Sequence, residues 1–235
     1  MNYDDQHRKH LTAYLQQIER LFYQLVGTAV FIALKTDYKE IIASTLFSFA
    51  TTKRGKSFER ELANFSNQLD QIIKQGITKE WNFANIKQDK LLREGLTKYK
   101  NLEALETFKT RKIKDFTVSD RVWDIAKKAQ TELELALSVS LEEGKSAVQL
   151  SREIRNLLNN PNALFRRVRD KYGNLVLSKN AQNYHPGQGV YRSAYKNALR
   201  LASNEINVAY KSSDWLRIQQ NPDVVGFEVR LSPQH

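Results

Sequence analysis

Residues 11–34 read LTAYLQQIERLFYQLVGTAVFIAL, and within them Leu11, Tyr14, Leu15, Ile18, Leu21, Phe22, Leu25 and Ala29 return at spacings of three and four. That period places them on one face of a helix, and a stripe this long requires a partner surface. The most apolar run, residues 21–34, holds 14 positions and includes Gln24 and Thr28, whereas a membrane span needs about 20 apolar residues. The stretch predicts a buried helix of a helical bundle and no membrane crossing.

Outward from this helix the same period recurs. Phe58, Leu62, Phe65, Leu69, Ile72 and Ile73 mark a second helix after a polar loop at 53–56, with Gly76 as its stop signal. Trp81 to Lys100 reads as a third helix, and Leu102, Leu105 and Phe108 as a short fourth, followed by a basic loop at Lys109, Arg111, Lys112 and Lys114. The TVSD of 117–120 offers capping oxygens to a helix carrying Val122, Ile125, Ala126, Ala129, Leu133, Ala136 and Leu137, and Ser146 with Gln149 has capping-box spacing before Val148, Ile154, Leu157 and Leu158. At 168–178, VRDKYGNLVLS changes character and predicts a hairpin about a Tyr-Gly-Asn turn. A last helix over 190–220 carries Tyr191, Tyr195, Ala198, Leu201, Ala202, Ile206, Ala209 and Trp215, and Val225, Phe227, Val229 and Leu231 then alternate as in a half-buried strand. The expected fold is mainly α with a small α+β C-terminal domain, in which the hairpin and the late strand form one small sheet. Two domains are expected, a helical one over 1–116 and a second over 117–235.

Composition narrows the function classes. There are 9 glycines, 4 prolines and no cysteine, which suits long helices, excludes disulfides and thiolate metal sites, and fits a reducing compartment. The opening MNYDDQHRKH lacks the apolar core of a secretory signal. The net charge is +11 and lies towards the C-terminus: residues 145–235 hold 14 basic against 6 acidic side chains. Within 160–200, Arg166, Arg167, Arg169, Lys171, Lys179, Arg192, Lys196 and Arg200 stand against the single acid Asp170. A density of this kind attracts polyanions, so these eight residues are the candidate contacts to double-stranded DNA or to an acidic protein surface.

Catalytic constellations are not assembled by the sequence. Glu132 with Glu134 and Glu142 with Glu143 read as solvated helix positions, and His7 with His10 share a helix face without the further ligands a metal needs. His185 reads as a turn residue, and Gly187 with Gly189 is too short a pattern to cradle phosphates. A tyrosine recombinase would place His-x-x-Arg here, but Gln188 stands three after His185. The expectation is a binding protein with no catalytic residue, metal, cofactor or small-molecule substrate.

Several longer segments carry a resemblance: VSDRVW (118–123), EGKSA (143–147), LFRRVRDKYGNLVLS (164–178), YHPGQGVYRSAYKNALRL (184–201), NEINVAY (204–210) and VVGFEVRLS (224–232), with WNFANIKQDKL (81–91) as a further echo. Together they resemble the head morphogenesis, or Mu F-like minor head, proteins of tailed bacteriophages, especially a branch found in phages and prophages of gut Bacteroidetes. The motif positions carried by the resemblance are His185, Pro186, Gly187, Gly189, Tyr191, Tyr195, Glu205, Asn207 and Tyr210. Relatives have an Arg-Thr-Glu-Ile type sequence where this chain has Ala202, Ser203 and Asn204 before Glu205, so no role of that arginine carries over. They also usually continue past the final strand into a segment with paired cysteines, whereas this sequence ends at His235, which leads to the expectation of a longer natural chain.

The resemblance implies a non-enzymatic role in procapsid assembly, association with portal and capsid proteins, and proximity to packaged DNA. It places the protein in the bacterial host cytoplasm during assembly and then in the virion head. The competing classes are a Mu F-like module of a mobile-element toxin or effector, and a nonspecific DNA-binding protein.

Overall fold

The structure, a computed structural model, describes residues 2–35, 47–91, 100–141, 146–160, 167–169, 171–177 and 193–226. Six α-helices lie among these residues: α1 (Tyr3–Leu34), α2 (Gly55–Leu91), α3 (Leu102–Thr110), α4 (Val118–Leu141), α5 (Ala147–Asn159) and α6 (Ala194–Gln219). A 3₁₀ turn, Phe49–Thr51, precedes α2, and two strands, β1 (Arg167–Arg169) and β2 (Leu175–Leu177), lie between α5 and α6.

Local chemistry sets the helix starts. Asn2 caps α1 by accepting from the N–H groups of Asp4 and Asp5 at 3.2 and 3.3 Å, donors that the first turn would otherwise leave orphaned. Thr117 Oγ1 accepts from Asp120 N while Asp120 accepts from Thr117 N, at 3.2 and 2.8 Å. Ser146 and Gln149 form a complete capping box at α5.

Gly76 departs from its expected role. It does not stop a helix: α2 runs through it for 37 residues, about 55 Å at 1.5 Å per residue, and unites what the sequence suggested were two helices. A Cβ on Gly76 would lie 2.5 Å from Cδ1 and 2.9 Å from Cγ1 of Ile206 on α6. The missing side chain lets α2 and α6 meet, and this is the most extensive helix contact among the described residues. The apolar faces of α1, α2, α4, α5 and α6 share one core, centred on Ile18, Phe22, Leu69, Ile73, Ile77, Val122, Ile125, Ile154, Ala198 and Ile206, all at most 2% exposed. That core draws on both sides of the 116/117 boundary.

The α+β expectation for the C-terminal part is corrected by the structure, which is almost wholly helical. The β structure among the described residues is an isolated bridge, Ile113 to Phe116, and a six-residue ribbon in which Arg167, Val168 and Arg169 face Leu177, Val176 and Leu175 in antiparallel register. Among the described residues this ribbon pairs only with itself and forms no larger sheet. Of the expected late strand, residues 224–226 are described and are not extended into a strand. After α6 the chain turns at Asn221, whose carbonyl accepts from Val224 N at 3.2 Å, and Val225 stands wholly in solvent. Residues 227–235 lie outside the described residues. The helices cover one another's apolar faces, so the core requires no sheet to close it. No described helix is long and apolar enough to cross a membrane.

Candidate nucleic-acid interface and the buried motif network

The described basic candidates lie between the end of α5 and the first turns of α6 in the chain. Ser193 Oγ donates to the carbonyl of Leu158 at 2.8 Å, so the chain that leaves α5 at Asn160 returns to α6 beside the place it left. β1 carries Arg167 and Arg169 on either side of Val168. Lys171 is exposed in the turn, with its ammonium 4.9 Å from the ring of Tyr172, and Gly173 supplies the left-handed backbone there with φ of 85°. Lys196 and Arg200 are exposed and four residues apart on the first turns of α6, which makes them neighbours on its surface. Arg166, Lys179 and Arg192 lie outside the described residues.

The start of α6 is held by a carboxylate that the sequence reading placed in solvent. Glu132 of α4 is 1% exposed, and both its oxygens accept from Ala194 N, at 2.9 and 3.2 Å. A buried anion on the first N–H of α6 meets the positive end of the helix dipole, which offsets its desolvation. Lys128, one turn before Glu132, is pushed below its ordinary value by burial, against the pull of the Glu132 charge.

The motif positions of NEINVAY point inward and tie the C-terminal helix to the N-terminal ones. Glu205 is 3% exposed and accepts from Arg111 at 2.6 Å and from Arg121 at 3.0 Å. Arg111 also stacks on Phe108, 3.4 Å from its centroid, and its guanidinium is lowered from its usual value by burial. The basic loop around Arg111 is therefore partly structural. Asn207 Oδ1 meets His7 Nε2 at 3.2 Å, and His7 Nδ1 meets Glu80 Oε2 at 2.7 Å. The other Glu80 oxygen faces His10 Nδ1 at 2.9 Å. Tyr210 stacks on His7 with centroids 4.0 Å apart and donates to Asp4 at 2.9 Å. Lys87 extends the chain from Asp4 at 3.6 Å to Asp214 at 2.9 Å.

Burial shifts the titration of three tyrosines in and beside this network. Burial pushes the Tyr14 phenol up to about 12, helped by the charge and hydrogen bonding of Glu80, and raises the Tyr210 phenol in the same way, beside Asp4. Tyr195 is buried in the core and donates to Glu19 at 3.1 Å, its phenol likewise raised first by burial. His185, Pro186, Gly187, Gly189 and Tyr191 lie outside the described residues.

In this network every named group faces a protein partner, and its chemistry is cross-linking of α1, α2 and α6. Sequence reasoning missed Glu80 and left His7 without a partner, although a signal was present. Glu80 falls on the apolar stripe of Ile73, Ile77, Trp81 and Ala84, and a carboxylate on such a stripe requires a buried partner. No family model, curated protein or solved structure matches this chain.

Proposed function

We propose that the chain is a phage head morphogenesis protein of the Mu F-like kind, which works by association with portal and capsid proteins during procapsid assembly and lies close to packaged DNA. The observation that carries this reading is the run of resemblance through 117–235, above all NEINVAY and the RRVRDKYGNLVLS segment. The fold supports it by dividing those residues into two groups. Glu205, Asn207 and Tyr210 serve the interior, while Lys171, Lys196 and Arg200 are exposed at the surface. A protein built in this way acts through its surfaces rather than by turnover.

The reading is tested by co-expressing the full chain with the portal protein encoded in the same phage or prophage genome and capturing either one. Co-purification of the two is expected. Absence of portal association, with capture of an adjacent immunity protein instead, would replace the reading with the toxin-module class.

The same reading expects weak binding of duplex DNA without sequence preference. If roughly four phosphates are engaged, log affinity falls with log salt at a slope of about −3 to −4, and the dissociation constant lies near ~10–100 μM at physiological salt. Anisotropy of labelled duplexes of unrelated sequence measures both. Salt-independent binding, or affinity for one sequence only, would contradict it.

A further inference from the structure

A second basic surface lies outside the segment that the sequence singled out. Along α5, Ser151, Arg152, Arg155 and Asn156 line an open groove of about 540 Å³ whose far side is Tyr23 of α1. The Arg155 guanidinium lies 4.9 Å from the Tyr23 ring centroid. Among the described residues no carboxylate lines the groove. Glu19, one turn before Tyr23, is turned to the hydroxyls of Tyr23 and Tyr195, which donate to it at 2.9 and 3.1 Å. Among the described residues neither Arg152 nor Arg155 has a carboxylate partner.

We propose that this groove is a binding site for the phosphate backbone of a nucleic acid. Arg152 and Arg155, three apart on one helix, have Cβ atoms about 5–6 Å apart, so that their long side chains can reach neighbouring phosphates of one strand. Guanidinium forks match phosphate oxygens, and Ser151 and Asn156 add neutral donors beside them. One face of Tyr23 is already covered by Arg155, so the groove reads backbone charge rather than stacked bases. It also adjoins the first basic surface: Glu19 links Tyr23 to Tyr195, and Lys196 follows in the chain. The proposal rests on the nucleic-acid part of the reading above and adds a contact site to it.

The test is anisotropy of labelled duplexes with the full chain between 50 and 200 mM salt, comparing the parent with R152Q/R155Q, R152K/R155K and the hairpin variant R166Q/R167Q/R169Q. Each phosphate contact contributes about 0.9 to the salt slope. R152Q/R155Q is expected to flatten the slope by about 1.8, so that its affinity falls about twelvefold less than the parent's over that salt range. R152K/R155K keeps the charge and is expected to keep the slope. Arg152→Gln alone, which leaves the Arg155–Tyr23 stack in place, should flatten it by about 0.9 and guards against a folding artefact of the double variant.

An unchanged slope in R152Q/R155Q, with a flattened one in the hairpin variant, would overturn the groove while the DNA reading stands. Absence of DNA binding by the parent would overturn both, and portal capture would then decide whether the head-protein reading survives alone. Unchanged DNA binding with portal association lost in R152Q/R155Q would overturn the proposal and give the groove to an acidic protein surface.

Discussion

At the scale of single residues, buried acids decide more than the charge count suggests. Glu205 neutralises two guanidinia that are each about a quarter exposed. Glu205→Gln leaves Arg111 and Arg121 facing each other without their anion, and should cost about 2–3 kcal/mol, below the range for a fully buried pair because water still reaches both arginines. Urea unfolding at neutral pH measures this, and a loss under 1 kcal/mol would mean that the arginines find other partners. Asp4 supplies a pH signature. Burial works against its charged form, but the Tyr210 hydrogen bond and the Lys87 charge outweigh burial and hold the carboxyl below its usual value. A depressed folded value means that Asp4 stabilises the fold above the ordinary aspartate range, and the contribution is lost as pH falls through the folded value. Tyr210→Phe retains the ring against His7 and removes the hydroxyl. The stability gap between parent and variant should therefore be full at pH 6 and should shrink below about pH 4. A gap constant from pH 6 to pH 3 would show that Tyr210 matters only as a ring.

At the scale of elements, the crossing of α2 and α6 is governed by one absent side chain. Gly76→Ala gains about 1 kcal/mol of helix propensity but drives a methyl into Ile206, where overpacking costs about 1–3 kcal/mol, so net destabilisation of roughly 1 kcal/mol is expected. Ile206→Val removes the Cδ1 that the new methyl would meet. Thermal unfolding of the double variant should show the two changes coupled, with G76A less harmful in the I206V background, and strict additivity would contradict the close approach. This element also shows what the sequence could tell. The apolar stripes of α1, α4 and α6, and the caps at Thr117 and Ser146, were legible because period and capping chemistry are local properties. Gly76 was misread because a helix-stopping glycine and a crossing glycine have the same local sequence, and only the partner Ile206 distinguishes them. The small C-terminal sheet was misjudged for a related reason. Alternation at 225–231 shows that a segment could be half-buried in a sheet, but the apolar faces of the helices had already met one another. Of the candidate site, the charge of Lys171, Lys196 and Arg200 was visible, whereas Arg152 and Arg155 were not singled out, since the groove exists only where α5 lies against Tyr23.

At the scale of the whole molecule, the core and the polar network both cross the 116/117 boundary. Unfolding followed by circular dichroism and by tryptophan fluorescence should accordingly give one coincident transition. The isolated 117–235 fragment should lack cooperative unfolding, because α6 would expose the face that meets α2. Two separated transitions would mean that the halves are independent after all. The clasp between Ser193 and Leu158 has a consequence for engineering. Since Ser193 and Leu158 hold the exit and re-entry points of the chain together, a short bridge from Asn160 to Ser193 leaves the ends of α5 and α6 where they are. Replacing residues 161–192 with a short glycine-serine bridge should leave the melting temperature of the helical body within a few degrees of the parent, while grafting a fluorescent domain at the same junction should yield a tagged molecule that still folds.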